Sequence, residues 1–265
     1  MDSVRFHARL LALYFAQYAK ARLAYRADFL TAVFTSFAGT AASLAVVLIL
    51  FSRFPHLEGF SYPEVVFLYG FSLIPFGLFN ILSVNLYQFA ERYLVEGRFD
   101  RILLRPVHPV FQILFESFRL ESLQEVVTGF VVVLWAASRL PQVTPLDLLV
   151  LPVWAVFGCV LYLAVFAILT ASSFYIEDRV GLAPPVFNLI PFGRYPIAIY
   201  DLKVRILLST VIPFAFASFY PTAMALKRAE YLPFFWATPL VAAAFGFLAL
   251  VAWKHGIRRY GSTGS

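Results

Sequence analysis

The fold class is decided by an uncharged apolar run, FLTAVFTSFAGTAASLAVVLILF, at residues 29–51. Asp28 and Arg53 bracket this run. At a rise of about 1.5 Å per residue, a helix of this length extends about 35 Å. The hydrocarbon core of a bilayer is about 30 Å thick. The run therefore predicts a transmembrane helix.

The composition indicates that the whole chain is a membrane protein with several such helices. Of its 265 residues, 61% are hydrophobic and 14% are charged, whereas soluble domains have about 45–50% and about 25%. The net charge of +6 does not indicate a nucleic-acid partner, because the basic residues cluster beside the apolar runs, a pattern that orients chains in membranes. We predict an all-α integral membrane protein in contact with the lipid bilayer.

Three further long runs predict spans, at 65–86, 148–176 and 232–253. Another span is needed before Arg139, but the uncharged run Val126–Ser138 has only 13 residues and is too short to cross. We therefore place this span at 112–138.

The start of the span at 112–138 carries acidic residues. Glu121 and Glu125 are one helical turn apart and share a helix face. Ionisable groups in a bilayer usually face the interior of a helix bundle or water. The two carboxylates are thus candidate residues of a translocation path; alternatively, they connect this span to its neighbours.

The region from 180 to 228 allows two arrangements. The stretches 180–199 and 206–226 are both apolar, and both contain prolines. Broken backbone at membrane depth is stable only where protein or a water-filled cavity covers it. One stretch is therefore expected to span the membrane, while the other is re-entrant or short and buried.

The basic residues predict the orientation. In residues 1–27, apolar side chains recur at roughly helical spacing with basic residues between them, which predicts a helix in the membrane interface. In either arrangement of the 180–228 region, Lys and Arg are more numerous on the side of the termini. We therefore predict that both termini are cytoplasmic.

The sequence has no motif of a nucleotide-binding or hydrolytic enzyme. The patterns G-x-x-x-x-G-K-[ST], H-E-x-x-H and G-x-S-x-G are absent. The four His residues are scattered over separate segments, and the single cysteine, Cys159, lies inside an apolar run. We predict no catalytic, cofactor-binding or metal-binding residues in this chain, and no enzyme activity of its own.

A charged loop at 91–109 separates the second and third predicted spans. It mixes both signs of charge with apolar side chains and ends in two prolines. Residues 97–109, GRFDRILLRPVHP, resemble the G-x-F-D-x-x-L-x-R-P-x-x-P loop of a bacterial branch of type-2 ABC permeases. Weaker matches are Arg194-Tyr195-Pro196 and Tyr220-Pro221, and the resemblance extends from about Glu91 to the end of the chain.

This resemblance implies the membrane subunit of an exporter in the bacterial plasma (inner) membrane, with six transmembrane helices. The fifth span would be 180–199, followed by an outer re-entrant region at 200–228. The chain would pair with a second permease subunit, identical or homologous. It would also bind two cytoplasmic ABC ATPase subunits, in which ATP and Mg²⁺ are held.

The resemblance also implies that the loop acts as a coupling helix seated in the ATPase. The residues carried over to this role are Gly97, Phe99, Asp100, Arg105, Pro106 and Pro109. Phe99 would insert into a groove of the ATPase as an apolar anchor. The alternative function is an ATP-independent, ion-driven membrane carrier. The apolar, aromatic-rich interior is compatible with lipids, hydrophobic drugs or peptides as substrate.

Overall fold

The computed structural model of the protein describes residues 9–18, 20, 25–54, 56–175 and 182–261. The predicted interfacial helix at 1–27 lies partly outside these residues, and 9–18 are helical. Phe15 and Tyr18 of this N-terminal segment pack edge-on against Phe118, at ring centroid distances of 5.6 and 5.9 Å.

The described residues are almost entirely helical. The α-helices are α1 (Arg26–Arg53), α2 (Tyr62–Leu82), α3 (Val84–Tyr87), α4 (Phe99–Leu103), α5 (Pro109–Phe115), α6 (Leu123–Ala137), α7 (Pro145–Ala171), α8 (Ala183–Phe187), α9 (Leu202–Ile206), α10 (Phe214–Ala217) and α11 (Leu232–Arg259). Short 3₁₀ turns lie at Leu120–Ser122, Ser172–Phe174, Ile190–Arg194, Ile197–Ile199, Tyr220–Thr222 and Ala229–Tyr231, and π-helical turns lie at Phe89–Val95 and Leu207–Val211. The strands β1 (His56–Leu57) and β2 (Phe60–Ser61) form a small antiparallel hairpin.

Within the described residues, five helices are long and apolar enough to cross a membrane. Two are α1 and α2; the other three are α6, α7 and α11 with their adjoining 3₁₀ turns, at Leu120–Ala137, Pro145–Phe174 and Ala229–Arg259. This confirms the all-α membrane fold that the sequence predicts.

The start of the third span differs from its predicted position. Gln112 belongs to α5, which ends at Phe115, and the long helix begins only at Leu120. Glu116 and Arg119 lie in the link between the two, so the chain leaves these exposed charges outside the long helix. Glu121 and Glu125 stay within it.

The proline-containing region forms no continuous span in its described part, residues 182–228. It consists of α8, α9, α10 and short turns. Pro184 and Pro185 lie in the first turn of α8, and Pro213 separates the π-helical turn Leu207–Val211 from α10. Proline lacks the backbone N–H that a continuing helix needs, which accounts for the breaks. The fifth span at 180–199 and the outer re-entrant region at 200–228 stay predictions.

The bundle is built around α2, which is enclosed by α6 on one side and α7 on another, while α7 also packs against α10 and α11. Small residues permit the closest approach. A Cβ added at Gly129 of α6 would lie 2.8 Å from the Gly70 carbonyl oxygen of α2. Membrane helices pack closely at such positions. By contrast, α1 buries few of its side chains and lies at the edge.

Two consecutive cations connect three elements at the end of the bundle where α2 and α7 begin. Lys227 Nζ lies 2.8 Å from Asp147 Oδ2, and Arg228 Nη2 lies 2.9 Å from Glu64 Oε1. Both carboxylates also accept hydrogen bonds from the N-cap residue of their own helix. We call these four residues the two-cation clasp.

Candidate functional site

The segment that follows α2 forms a compact unit. Gly97, with φ of +68°, makes the turn that leads into α4, and this left-handed backbone region favours glycine. Pro109 is the first residue of α5, where a missing N–H costs nothing. The predicted loop at 91–109 thus contains most of the π-helical turn Phe89–Val95, the helix α4, and a turn with Pro106 that leads into α5.

Phe99 is buried within the chain. Its side chain is 0% exposed. Its ring contacts those of Phe89, Phe174 and Tyr260, at centroid distances of 5.7, 5.4 and 4.9 Å. The hypothesis that Phe99 is an anchor inserted into another subunit is therefore wrong, because the ring fills a site inside its own chain.

Polar contacts attach α4 to α5. The Gln112 side-chain amide donates to the Ile102 carbonyl at 3.1 Å and to the Val107 carbonyl at 2.7 Å. The Tyr93 hydroxyl donates to Glu116 Oε2 at 2.6 Å. Burial, and next the bond to Glu116, raise the pKa of Tyr93 well above its ordinary value. The unit is therefore held as one piece.

Asp100 faces the end of α11. Burial, followed by the neighbouring Asp100 carboxylate, raises the pKa of Tyr260 to about 12. Tyr260 also packs on Phe99, so α4 contacts the C-terminal end of α11 through both a polar and an aromatic neighbour.

The outer face of the unit carries exposed apolar and basic side chains, in contrast to the buried ring of Phe99. Leu104 is 86% exposed and Leu103 is 41% exposed, and the side chains of Arg101, Arg105 and Pro106 are exposed beside them. We call these five residues the Leu104 patch. It combines two apolar side chains with two cations on the surface of an ordered unit.

Sequence reasoning named Leu103 and Leu104 with Phe99 and Tyr93 as apolar side chains presented to a partner, but it did not distinguish the outward-facing leucines from the inward-facing rings. Phe99 and Ile102 are three residues apart and share the inner face of α4, and both are buried. This three-residue spacing was the signal in the sequence that could have identified the inner face of α4. A helix of five residues shows too little periodicity to tell which face is inward.

The charged start of α6 contacts α2. Asn80 of α2 donates a hydrogen bond from its side-chain amide to Glu125 Oε2 at 3.0 Å, and both residues are buried. The Arg119 backbone N–H donates to the Ile81 carbonyl at 3.0 Å. Glu125 thus connects α6 to α2.

Glu121 lines a cavity of about 580 Å³. The N-terminal segment, α1, the end of α2, α3 and the start of α6 contribute to its walls. Its other lining residues are Tyr18, Ala32, Asn80, Ser83, Val84, Tyr87, Gln88, Arg119 and Phe187. Hydroxyl, amide, carboxylate and guanidinium groups therefore surround the same space as aromatic rings, which suits an amphipathic ligand.

The structure separates the two acidic candidates. Glu121 lines the cavity. Glu125 lies one helical turn further along α6 and does not line the cavity, but it is hydrogen-bonded to Asn80, which does. Over the described ranges, no group of three or more His, Cys, Asp or Glu side chains is placed to hold a metal ion.

Residues 37–264 match the family model described as "ABC-2 family transporter protein". Neither the comparison with curated proteins nor the comparison with solved structures found a match.

Proposed function

Given that the chain belongs to the ABC-2 family of transporter proteins, we propose that it forms the translocation path of a bacterial exporter and couples to separate cytoplasmic ATPase subunits. Membership makes it a multi-pass transmembrane component of an ABC transporter, and a non-catalytic one, with ATPase subunits as its partners. The export direction, the path and the mode of coupling are the proposal.

The Leu104 patch carries the coupling proposal. Apolar side chains that project from an ordered surface act as anchors in protein interfaces when a partner encloses them. The adjacent Arg101 and Arg105 suit a partner surface that carries carboxylates. Because α4 is attached to α5 and contacts the end of α11, we expect a displacement of the patch to move both helices.

The cavity at the start of α6 supports the proposed path. Its mixed lining accommodates a molecule with a polar and an apolar part, and Glu121 supplies a negative charge within it. Glu125 has a positioning role in this proposal, since its bond to Asn80 holds α6 against α2.

The proposed assembly contains two ATPase subunits and a second permease subunit, identical or homologous. ATP and Mg²⁺ bind in the ATPases, and this chain holds no cofactor. Both termini face the cytoplasm of the bacterial cell, the region 200–228 faces outward, and 180–199 forms the fifth membrane-crossing segment. The clasp then lies on the outer side, opposite the Leu104 patch.

The test is purification of the chain alone and after co-expression with a P-loop ATPase encoded beside it. The proposal expects no ATP hydrolysis from the chain alone and ATP turnover from a stable complex of two membrane and two ATPase subunits. Transport by the chain without any ATPase, driven by an ion gradient, would contradict the proposal and establish the ion-driven carrier instead.

A further inference from the structure

Arg194 lies beside the middle of α2. Its guanidinium carbon is 4.8 Å from the centre of the Phe76 ring and 5.8 Å from the centre of the Tyr69 ring. Tyr69 and Phe76 stand about 10 and 21 Å from the start of α2, a helix of 21 residues and about 30 Å in length. If α2 spans the bilayer, Arg194 is held at the depth of the hydrocarbon core.

Arg194 forms no ion pair among the described residues. The ion pairs within this part of the chain are Arg98–Glu96, Lys227–Asp147 and Arg228–Glu64. No described carboxylate lies within 4.0 Å of Arg194. Glu125 is near enough to interact with Arg194 electrostatically, but its carboxylate accepts a hydrogen bond from Asn80 and forms no ion pair.

The donors of Arg194 are also incompletely used. Its Nε–H is buried and has no described acceptor. Cation–π contacts with Phe76 and Tyr69 offset only part of the cost of holding a charge in the membrane interior. Intramembrane cations of this kind usually mark a ligand or ion pathway.

The backbone beside Arg194 is tightly positioned. The Ser218 hydroxyl donates to the Gly193 carbonyl at 2.6 Å. A Cβ at Gly193 would come within 2.6 Å of the Ser218 Oγ and 3.1 Å of the Phe214 carbonyl oxygen, so only glycine fits. The guanidinium is therefore held from a fixed backbone position, with its central carbon 4.8 Å from the centre of the Phe76 ring.

We propose that Arg194 binds the anionic group, a carboxylate or a phosphate, of an amphipathic molecule in transit. A guanidinium binds either group through two parallel N–H bonds. The aromatic surroundings suit the apolar part of the molecule. This inference rests on the proposed function, and it assigns the substrate class to amphipathic acids.

The experiment uses the full chain in phosphatidylcholine nanodiscs. The probes are a long-chain fatty acid with a fluorophore on its chain and the methyl ester of the same molecule, compared at a pH where the acid is ionised. We expect the acid to bind about tenfold more tightly than the ester or better. The variant Arg194→Gln should abolish this preference, while Arg194→Lys should keep part of it, because a lysine retains the charge without the fork of donors.

Arg205→Gln is the matched control. It removes the same charge from a nearby segment, but the Arg205 guanidinium is hydrogen-bonded to the Tyr200 and Ala198 carbonyl oxygens. This variant should keep the acid preference. Equal binding of acid and ester by the parent chain, or an equal loss in both Gln variants, would overturn the proposal. The comparison of acid and ester binding by the parent chain tests the proposal even if Arg194→Gln fails to fold.

Two further arms separate the alternatives. Competition by phosphatidylglycerol in the nanodisc would support the anion site and assign it to a bilayer phospholipid, whereas no competition would assign it to a separate amphiphile. Co-purification of the ATPase is measured on the same samples. A normal complex without acid preference refutes this inference alone, whereas acid preference without any ATPase complex refutes the proposed function.

Discussion

Phe99 and Leu104 have opposite surroundings although only four residues separate them. Phe99 packs among aromatic rings that belong to α11 and to neighbouring turns, whereas Leu104 projects from the surface. A buried ring stabilises the position of α4 on the bundle. An exposed leucine is available to another subunit.

The first prediction is that Phe99→Ala destabilises the chain. Removing a fully buried phenylalanine leaves a cavity and costs about 3–5 kcal/mol. We expect a lower midpoint of thermal unfolding for the purified chain. Leu104→Ala is the control and should leave the midpoint unchanged, because that side chain is solvated. A Phe99→Ala variant that unfolds like the parent yet loses the ATPase would restore Phe99 as the anchor.

The second prediction concerns the bond between Asn80 and Glu125. Replacing Asn80 by Leu leaves a buried carboxylate without its donor, which costs about 1–3 kcal/mol. The double variant with Glu125→Leu should cost less than the sum of the single changes, by about 0.5 kcal/mol or more. Unfolding of the four proteins in detergent measures this difference. If the costs of the Asn80 and Glu125 changes are additive, the bond between these two residues contributes nothing to stability.

Glu121→Gln, by contrast, should leave the stability of the chain unchanged and lower the substrate-stimulated ATP turnover of the complex.

At the residue scale, the sequence indicates which residues form the loop more readily than it indicates which way their side chains point. The pattern at 97–109 predicted a coupling loop, and the structure forms α4 within that stretch and begins α5 at its end. The coupling role stays a prediction. The pattern could not predict that Phe99 turns inward, because its aromatic neighbours Phe174 and Tyr260 come from distant parts of the chain. Arg194 was noted only as part of a short match, since its depth depends on packing against α2.

At the scale of the elements, the main feature is the attachment of the segment after Val211 to α2 and α7. The two-cation clasp provides that attachment at one end, and α10 provides it further in, where Ala217 approaches Gly158 of α7. A Cβ at Gly158 would lie 2.6 Å from the Ala217 carbonyl oxygen. The broken backbone of this region is thus covered by protein, as membrane depth requires.

The third prediction tests the clasp. The Asp147 side chain is 2% exposed, and it both pairs with Lys227 and caps α7. Asp147→Ala should therefore lower the free energy of unfolding by about 2 kcal/mol or more, from the cap and the lost pair together. Lys227→Ala should cost less, since that side chain is half exposed and solvent replaces part of the interaction.

The control for the clasp is the exposed pair of Arg98 and Glu96. These side chains lie 2.9 Å apart, and each is about half exposed. Arg98→Ala should change stability by about 0–1 kcal/mol, which is typical of surface ion pairs. If Asp147→Ala costs no more than Arg98→Ala, the clasp does not stabilise the segment.

Long elements could be predicted from the sequence because each uncharged run carries its own signal of length and composition. The start of the third span could not, because the chain turns at residues 116–119 and resumes as a helix at Leu120. The 182–228 region was also beyond local reasoning. Its prolines predict breaks, but which pieces pack against α7 depends on tertiary contacts.

At the scale of the whole molecule, the chain has two differently built ends. One end carries the clasp and the hairpin of β1 and β2, and the other carries the Leu104 patch on an ordered unit. Between them lie the cavity with Glu121 and, deeper along α2, Arg194. In the proposed exporter, the patch receives the movement of the ATPases and the α11 contact transmits it into the bundle, while the clasp holds the opposite end together.

The fourth prediction tests the central claim, that the Leu104 patch is the ATPase contact. The native cysteine is first removed by Cys159→Ser. A photoreactive cross-linker is then attached to a cysteine introduced by Leu104→Cys or by Leu202→Cys. Leu202 is the control position, because it is a leucine on α9 that is 71% exposed. Membranes that contain the ATPase are irradiated, and the products are identified by mass spectrometry. We expect an adduct between the chain and the ATPase from Leu104→Cys and none from Leu202→Cys. No adduct from Leu104→Cys, or equal adducts from both positions, would contradict that claim.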